Sequence, residues 1–250
     1  MHVSGPHEHT TLATSGLSAA IYLLPVPLSN CSPADVLPQY NLDIIKQIKY
    51  FVVENVRTAR RFLKAVDKTI DIDSLTFVEL NEHTPESDIN DMLSPVKAGN
   101  AVGVMSEAGC PAVADPGALL VAQAQRSHIA VIPLVGPSSI LLALMGSGFN
   151  GQNFAFHGYL PIDEKTRVST LRNMATDSVK KNITHIFIET PYRNKKLIET
   201  MLATLPGDTK ICIASDITGI NQSILTKSVY EWKKSEINYD KVPTIFLIGQ

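Results

Sequence analysis

The chain has 250 residues and is nearly balanced in charge, with 22 Lys and Arg against 24 Asp and Glu. Apolar residues make up 44% of it and charged residues 18%. This composition excludes disordered and fibrous proteins, and the length allows one large domain or two small ones, each with its own core. The sequence pI of about 6.4 lacks the overall basicity that drives non-specific binding to nucleic acids.

Three cysteines lie far apart and form no C-x-x-C pair, so the sequence supports neither a disulfide framework nor a zinc site. Residues 1–19 lack the basic region of a signal peptide, and the apolar run after them is interrupted by Pro25 and Pro27. We therefore predict a cytoplasmic protein without a membrane span or a metal. A flexible N-terminal leader is expected over residues 1–19.

From residue 20 onward, short β-rich runs alternate with longer amphipathic segments, as in a parallel sheet with crossover helices. One helix is predicted at VRTARRFLKAV, where apolar residues recur at three- and four-residue spacing. Another is predicted at Asp115, a good N-cap, with Pro116 in its first turn. The apolar runs predict strands at 21–24, 50–54, 76–80, 101–105 and 130–134.

The sequence VGPSS at 135–139 breaks regular structure, and Ser138 or Ser139 can cap the apolar helix that follows. We place the domain junction here, which gives an N-terminal α/β domain over 20–135 and a C-terminal α/β domain over 136–250. A mixed sheet is predicted in the second domain. Its predicted strands are 154–159, 185–189 and 210–214, and its predicted helices 164–178 and 193–205.

The last two apolar runs, SILTKSVYEW and PTIFLIG, have no long crossover between them, which favours antiparallel pairing. A G-x-G-x-x-G pattern stands at Gly146, Gly148 and Gly151. A dinucleotide site needs a strand before this pattern and a helix after it, whereas here a helix precedes and a strand follows. We interpret the pattern as the end of a helix and the loop after it.

The segment SEAGCPAVADPG, residues 106–117, directly follows a predicted parallel strand. Ligands of open α/β sheets bind beyond the carboxyl ends of the strands, and glycine lets the backbone approach them closely. The segment has two acids and no Lys or Arg, which disfavours a phosphate-rich ligand and suits a small zwitterion with a flat ring. The alternative is a long turn with a capping Asp.

Four motifs resemble, in the same order, those of the tetrapyrrole-methylase superfamily of S-adenosylmethionine-dependent methyltransferases. The overall match runs from about residue 20 to 250. The similarity is greatest to the branch that methylates the ribose 2′-oxygen of a cytidine in small-subunit ribosomal RNA. That branch reads S-D-A-G-T-P…D-P-G, P-G-P-S-A, F-x-G-F-L-P and Y-E-S-P-H-R. This sequence reads SEAGCP…DPG, VGPSS, FHGYLP and IETPYR at the same places.

The resemblance implies two α/β domains, a homodimer, no metal, and S-adenosylmethionine in the cleft between the domains. It also implies which residues contact this donor, and they are Gly109, Cys110, Val113, Ser138, Ser139, Thr190 and Pro191. Methyl transfer from a sulfonium is an in-line displacement that depends on alignment more than on acid catalysis. A base would help a weakly acidic ribose hydroxyl, and Glu54 and Glu189 are the candidates.

Two segments depart from the branch. It opens with T-P-I-G-N where this chain has VPLSN at 26–30, and it has E-D-T-R where this chain has ENVR at 54–57. Donor binding is therefore better preserved than acceptor handling.

Arg57, Arg61 and Lys64 share one face of a predicted helix, where they could bind RNA phosphates or could form an ordinary solvated surface. Our first interpretation is a methyltransferase that acts on ribosomal RNA and uses Arg57 and Arg61 to bind it. A methyltransferase for a tetrapyrrole or another small molecule is the second. A donor-binding protein without catalysis is the third.

Overall fold

The computed structural model describes residues 16–81 and 83–250, so residues 1–15 of the predicted leader lie outside it. Two five-stranded sheets follow each other along the chain, and helices pack against both of them. This confirms the predicted α/β fold class, with a parallel sheet first and a mixed sheet second.

The first sheet is parallel throughout, in the order β3-β2-β4-β1-β5. Its inner strands are almost wholly apolar because both faces are covered: Tyr22 and Leu24 pack into one core cluster, and Ile21 packs into the other. The strands are β1 Ile21–Leu23, β2 Tyr50–Val53, β3 Thr76–Glu79, β4 Val102–Met105 and β5 Val131–Pro133. All five were predicted, to within one residue at each end.

The helices of the first half are α1 Pro33–Val36, α2 Gln39–Ile45, α3 Val56–Val66, α4 Ile89–Met92, α5 Ser94–Lys97 and α6 Gly117–Arg126. Helix α3 has the bounds that its periodicity predicts. Helix α6 begins at Gly117, one residue later than expected, and Asp115 Oδ1 accepts the Gly117 N–H at 2.7 Å. Asp115 therefore supports the start of α6 from two residues before it.

The second sheet has the order β6-β7-β10-β8-β9, with β6 parallel to β7 and the other neighbours antiparallel. The strands are β6 Phe154–Tyr159, β7 Thr184–Ile188, β8 Lys210–Ser215, β9 Ser223–Ser228 and β10 Thr244–Gly249. The helices are α7 Ser139–Ser147, α8 Glu164–Lys181, α9 Asn194–Thr204 and α10 Val229–Trp232. Ser138 caps α7, as one of the two serines was expected to do.

The predicted antiparallel pairing of the last two apolar runs is wrong. β8 lies between β9 and β10 and is antiparallel to both. The second half of the first run forms α10, where Ser228 and Glu231 make a capping box and the Trp232 indole N–H donates to Ile211 O at 2.9 Å. Burial of Trp232 fixes this turn, and the chain can then cross over to the far side of β8.

The interpretation of the G-x-G-x-x-G pattern is confirmed, since Gly148 has a φ of +75° and ends α7. Helix α7 follows the junction and packs against β8, β9 and β10. No helix of the described residues is long and apolar enough to cross a membrane.

Candidate functional site

The loop of residues 106–117, which we call the donor loop, leaves the carboxyl end of β4 in a strained conformation. Gly109, Ala112 and Ala114 have φ values of +72°, +65° and +61°. Left-handed backbone at alanine costs free energy and is concentrated in ligand-binding segments. Asp115 Oδ1 stabilises the strained turn by accepting the N–H groups of Ala112 at 3.0 Å and Gly117 at 2.7 Å.

The donor loop is joined to the loop after β1 and to the junction. Val26 and Gly109 form an antiparallel bridge with N···O distances of 2.9 and 3.1 Å. The Cys110 thiol donates to Pro137 O at 3.4 Å. At Gly136, a Cβ would lie 2.2 Å from Pro25 Cβ, so only glycine lets the junction pass the end of β1. Three segments that the sequence separates therefore meet at one edge of the first sheet.

Glu54 and Asp115 line the same narrow cavity between the ends of β2 and β4. Glu54 Oε2 accepts the Glu107 N–H at 3.1 Å, which fixes the start of the donor loop. The Oδ2 atom of Asp115 is buried without a hydrogen-bond partner. Burial, with a smaller contribution from the charge of Glu54, raises the pKa of Asp115 despite the two N–H groups that it accepts. The site thus holds an acceptor that is incompletely satisfied.

Glu189 is almost fully buried at the end of β7. Its Oε2 pairs with Arg193 at 2.8 Å, and its Oε1 accepts the Thr190 N–H at 2.8 Å. These bonds order the turn that holds Thr190 and Pro191. No hydrogen bond joins this turn to the donor loop within the described part of the chain. The two halves are bridged elsewhere at this edge, by the Ser29 and Thr218 hydroxyls at 3.1 Å.

A second cavity of about 340 Å³, which we call the α3 pocket, lies between α3, the loop after β1 and the start of the donor loop. Its volume falls within the range of ligand-binding pockets. Pro27, Phe62 and Met105 contribute apolar surface. Its polar lining residues are Ser29, Asn30, Thr58, Arg61, Ser106 and Glu107.

The four basic residues of α3 have different surroundings. Lys64 Nζ donates to Lys68 O and Ile70 O, at 3.0 and 2.7 Å. The Arg60 guanidinium stacks over Phe77, 5.5 Å from the ring centroid. Arg61 lines the α3 pocket, and neither Arg57 nor Arg61 forms an ion pair with any residue that the structure describes. Of the three basic residues predicted to share a face of this helix, Arg57 and Arg61 have no ion-pair partner in the described residues, whereas Lys64 is bonded within the fold.

Asn55 explains one departure from the family pattern. It is the N-cap of α3, and its Oδ1 accepts the N–H groups of Arg57 at 2.9 Å and Thr58 at 3.2 Å. Asp and Asn are equally good N-caps because either side chain offers this oxygen. The Asn at this position therefore preserves the local structure.

Sequence reasoning missed Glu107, Asn30 and Thr58 as pocket residues. The carboxylate of Glu107 is exposed and has no partner among the described side chains. The sequence could have indicated Glu107 as a site residue, since it is the second residue of the donor-loop motif. Asn30 and Thr58 become neighbours of the site only when α3 packs beside the loop after β1.

Comparison with curated proteins finds similar sequences that cover most of the chain. The chain is 28% identical over 231 residues to ribosomal RNA small subunit methyltransferase I of Vibrio cholerae, covering 91% of this chain and 76% of that protein. It is 27% identical to the Haemophilus influenzae protein of the same name, covering 93% and 79%. No family model matches the chain.

Solved structures show the same fold. Cobalt precorrin-4 methyltransferase CbiF superposes with a TM-score of 0.59 at 14% identity, covering 92% of this chain and 95% of that one. Methyltransferase CobJ superposes with a TM-score of 0.61 at 15% identity, covering 94% and 95%. Both likenesses show that this chain has the fold of these two methyltransferases.

The residues present fit S-adenosylmethionine, the methyl donor that the sequence resemblance implies. The donor loop carries no cation, so it does not repel a sulfonium. The buried, unpaired Asp115 Oδ2 is an acceptor that an N–H or O–H group of a ligand could satisfy. The predicted donor contacts fall into two groups. Gly109, Cys110, Val113, Ser138 and Ser139 belong to the joined loops at the sheet edge, and Thr190 and Pro191 belong to the turn after β7.

Proposed function

We propose that this chain is an S-adenosylmethionine-dependent methyltransferase that methylates the ribose 2′-oxygen of a cytidine in small-subunit ribosomal RNA, as a cytoplasmic homodimer. The observation that carries the proposal is the meeting of two different surfaces at Ser106 and Glu107. On one side lies a strained, cation-free loop, and on the other a pocket flanked by unpaired arginines. The names of the curated relatives point to small-subunit ribosomal RNA, and the resemblance of the sequence motifs supplies the cytidine 2′-oxygen.

On this proposal the joined loops hold the donor, which supplies an activated methyl group. Gly109 and Cys110 would contact it through backbone that Val26 and Pro137 keep in place. Ser138 and Ser139 would contact it from the junction, and Val113 from the far side of the loop. The protein aligns the reactants and excludes water, because an in-line displacement gains most from orientation.

Removal of the ribose proton is the step that needs a carboxylate. Glu54 and Glu189 stay the predicted bases, although Glu54 also positions Glu107 and Glu189 also orders its own turn. Glu107 is a further candidate, since it lines the α3 pocket with a free carboxylate. Replacing each of the three by Gln and measuring kcat against pH would separate them. Loss of the acidic limb of the profile identifies the base.

A small anionic acceptor such as a tetrapyrrole is the second candidate. The unpaired Arg57 and Arg61 support it, because guanidinium groups bind carboxylates as well as phosphates. A donor-binding protein without catalysis is the third. The two departures from the branch pattern, at 26–30 and 54–57, favour it, but the second carries less weight because Asn55 preserves the N-cap of α3.

Two measurements test the proposal. Calorimetry with S-adenosylmethionine and S-adenosylhomocysteine should show binding, and no binding at millimolar ligand would refute all three candidates. Labelled donor should then transfer its methyl group to small ribosomal subunits from a strain that lacks the cytidine modification. Label in a tetrapyrrole precursor but not in the RNA would favour the second candidate, and label in neither would favour the third. Sedimentation would test the homodimer.

A further inference from the structure

We propose that the α3 pocket receives a single nucleotide turned out of the RNA chain, with Arg61 bound to its phosphate. This inference rests on the proposed function and assigns the acceptor subsite within it. The pocket lies beyond the carboxyl ends of β1 and β4, beside α3, and includes Ser106 and Glu107. A ligand in it would therefore contact the first residues of the donor loop.

The lining suits a nucleoside in both shape and chemistry. Phe62 and Met105 offer apolar surface for a base, while Asn30, Thr58 and Ser106 offer hydrogen-bonding groups for its edge and for the ribose. Enzymes that modify one nucleotide of a structured RNA must expose it first, and the pocket reads the nucleotide once it is unstacked. A cavity of about 340 Å³ holds one nucleotide and not a longer stretch of RNA.

The charged residues at the α3 pocket indicate how the nucleotide is oriented when it enters. Arg61 lines the pocket, and Arg57 is exposed one helical turn earlier on the same face of α3. Glu107 is the only acid among the lining residues, and it lies at the donor-loop end. The phosphates would therefore run along α3, and the ribose would face the donor loop.

The test uses the full chain and a labelled single-stranded RNA of about nine nucleotides with a central cytidine. A matched strand carries an abasic site at its centre. The variants are Arg61→Ala, which removes the phosphate contact, and Ala65→Trp, which fills the pocket from an exposed position of α3. Arg60→Ala is the control, because Arg60 is a cation of the same helix that stacks on Phe77 outside the pocket.

The wild type should bind the cytidine strand more tightly than the abasic one. Arg61→Ala should weaken binding about 10-fold and lower the slope of log K against log salt by about 0.7, as for one lost phosphate contact. Ala65→Trp should remove the preference for the cytidine strand. Arg60→Ala should change neither property, and calorimetry should give one donor affinity for all four proteins.

Equal binding of both strands by the wild type would overturn the inference, as would an Arg61→Ala protein with unchanged affinity and salt slope. Methyl transfer to small ribosomal subunits separates this failure from that of the proposed function. If the wild type transfers label and the pocket variants do so with the same KM, the function stands and the subsite is wrong. If the wild type transfers no label, the proposed function fails and the inference fails with it.

Discussion

Asp115 in the first half of the chain and Asn194 in the second show the same bonding pattern in opposite settings. Each has one side-chain atom bonded within the protein and one buried atom without a partner. Asn194 lies inside the fold, where its amide nitrogen is 3.0 Å from Tyr239 O and 2.7 Å from Val242 O. Asp115 lies at the sheet edge beside a second carboxylate. An unpaired buried atom therefore indicates a ligand only where the surrounding loops end at a cavity.

The same contrast extends to the two halves. At the carboxyl edge of the first sheet, Arg57 and Arg61 of α3 and Glu107 of the donor loop have no ion-pair partners among the described residues. In the second half, buried polar side chains bind the chain's own backbone, as Trp232 and Thr184 do. Among these side chains, the unpaired charges lie in the first half, and the polar groups named in the second half contribute to stability.

The largest effect on stability should come from Asn194→Ala, which breaks the tie between α9 and the segment before β10. We expect a loss of about 3 kcal/mol in the free energy of unfolding, because two partly buried carbonyls lose their buried donor. Denaturant unfolding measures it. Asn153→Ala is a matched control, whose exposed amide bonds Lys181 O and should contribute about 0.5 kcal/mol. If Asn194→Ala instead lowered the affinity for S-adenosylmethionine and left the stability unchanged, the comparison of Asn194 with Asp115 would be reversed.

Asp115→Asn should have the opposite profile. The affinity for S-adenosylmethionine should fall about 10-fold in calorimetry, because the unpaired acceptor becomes a donor. The Tm at neutral pH should stay equal or rise, because the raised pKa means that the folded protein holds the charged form unfavourably. Wild-type stability gains as pH falls through this pKa, and the Asn protein should lack that gain. A lower Tm with full donor affinity would show Asp115 to be purely structural.

A smaller effect concerns the histidine pair of the second half, in which His185 is buried and His157 is more exposed. His157 Nε2 and His185 Nδ1 lie 2.9 Å apart, and burial lowers the pKa of both. Asp177 opposes this shift at His185, and Lys181 adds to it. The unfolded chain binds protons at these histidines more readily than the folded protein does. Their contribution to stability is therefore complete above pH 6.5 and is lost as the pH falls below that value.

The Tm should therefore drop by a few degrees between neutral pH and the folded-state pKa values, as scanning calorimetry would record. His157→Gln should flatten this dependence, since one of the two titrating groups of the pair is gone. His128→Gln is the control, because His128 lies between α6 and β5 in the first half of the chain. A wild-type Tm that stays level below pH 6.5 would contradict the prediction.

The smallest effect is expected at the N-cap of α3. Asn55→Asp should change stability by less than about 0.5 kcal/mol and leave methyl transfer unchanged, because both side chains accept the same N–H groups. Asn55→Ala should cost about 1 kcal/mol. A large gain of activity in the Asp protein would instead mean that the negative charge acts in catalysis.

The sequence predicted the parallel sheet well, because strands covered on both faces must be continuously apolar and stand out from amphipathic helices such as α3. It failed at SILTKSVYEW, where local apolarity could not tell a long strand from a strand followed by α10. Burial of Trp232 against Ile211 decides that question, and it is a contact between residues 21 positions apart.

Residues close together in the chain are enough to specify the α/β class, the donor-loop motif and the helix that carries the arginines. Which side chains are used within the fold, and which stay unpaired, depends on long-range packing. Lys64 and Arg60 bind their own protein, while Arg61 meets Glu107 across a pocket. Such partnerships depend on how α3 packs beside the loops of β1 and β4, and no local pattern encodes that distance.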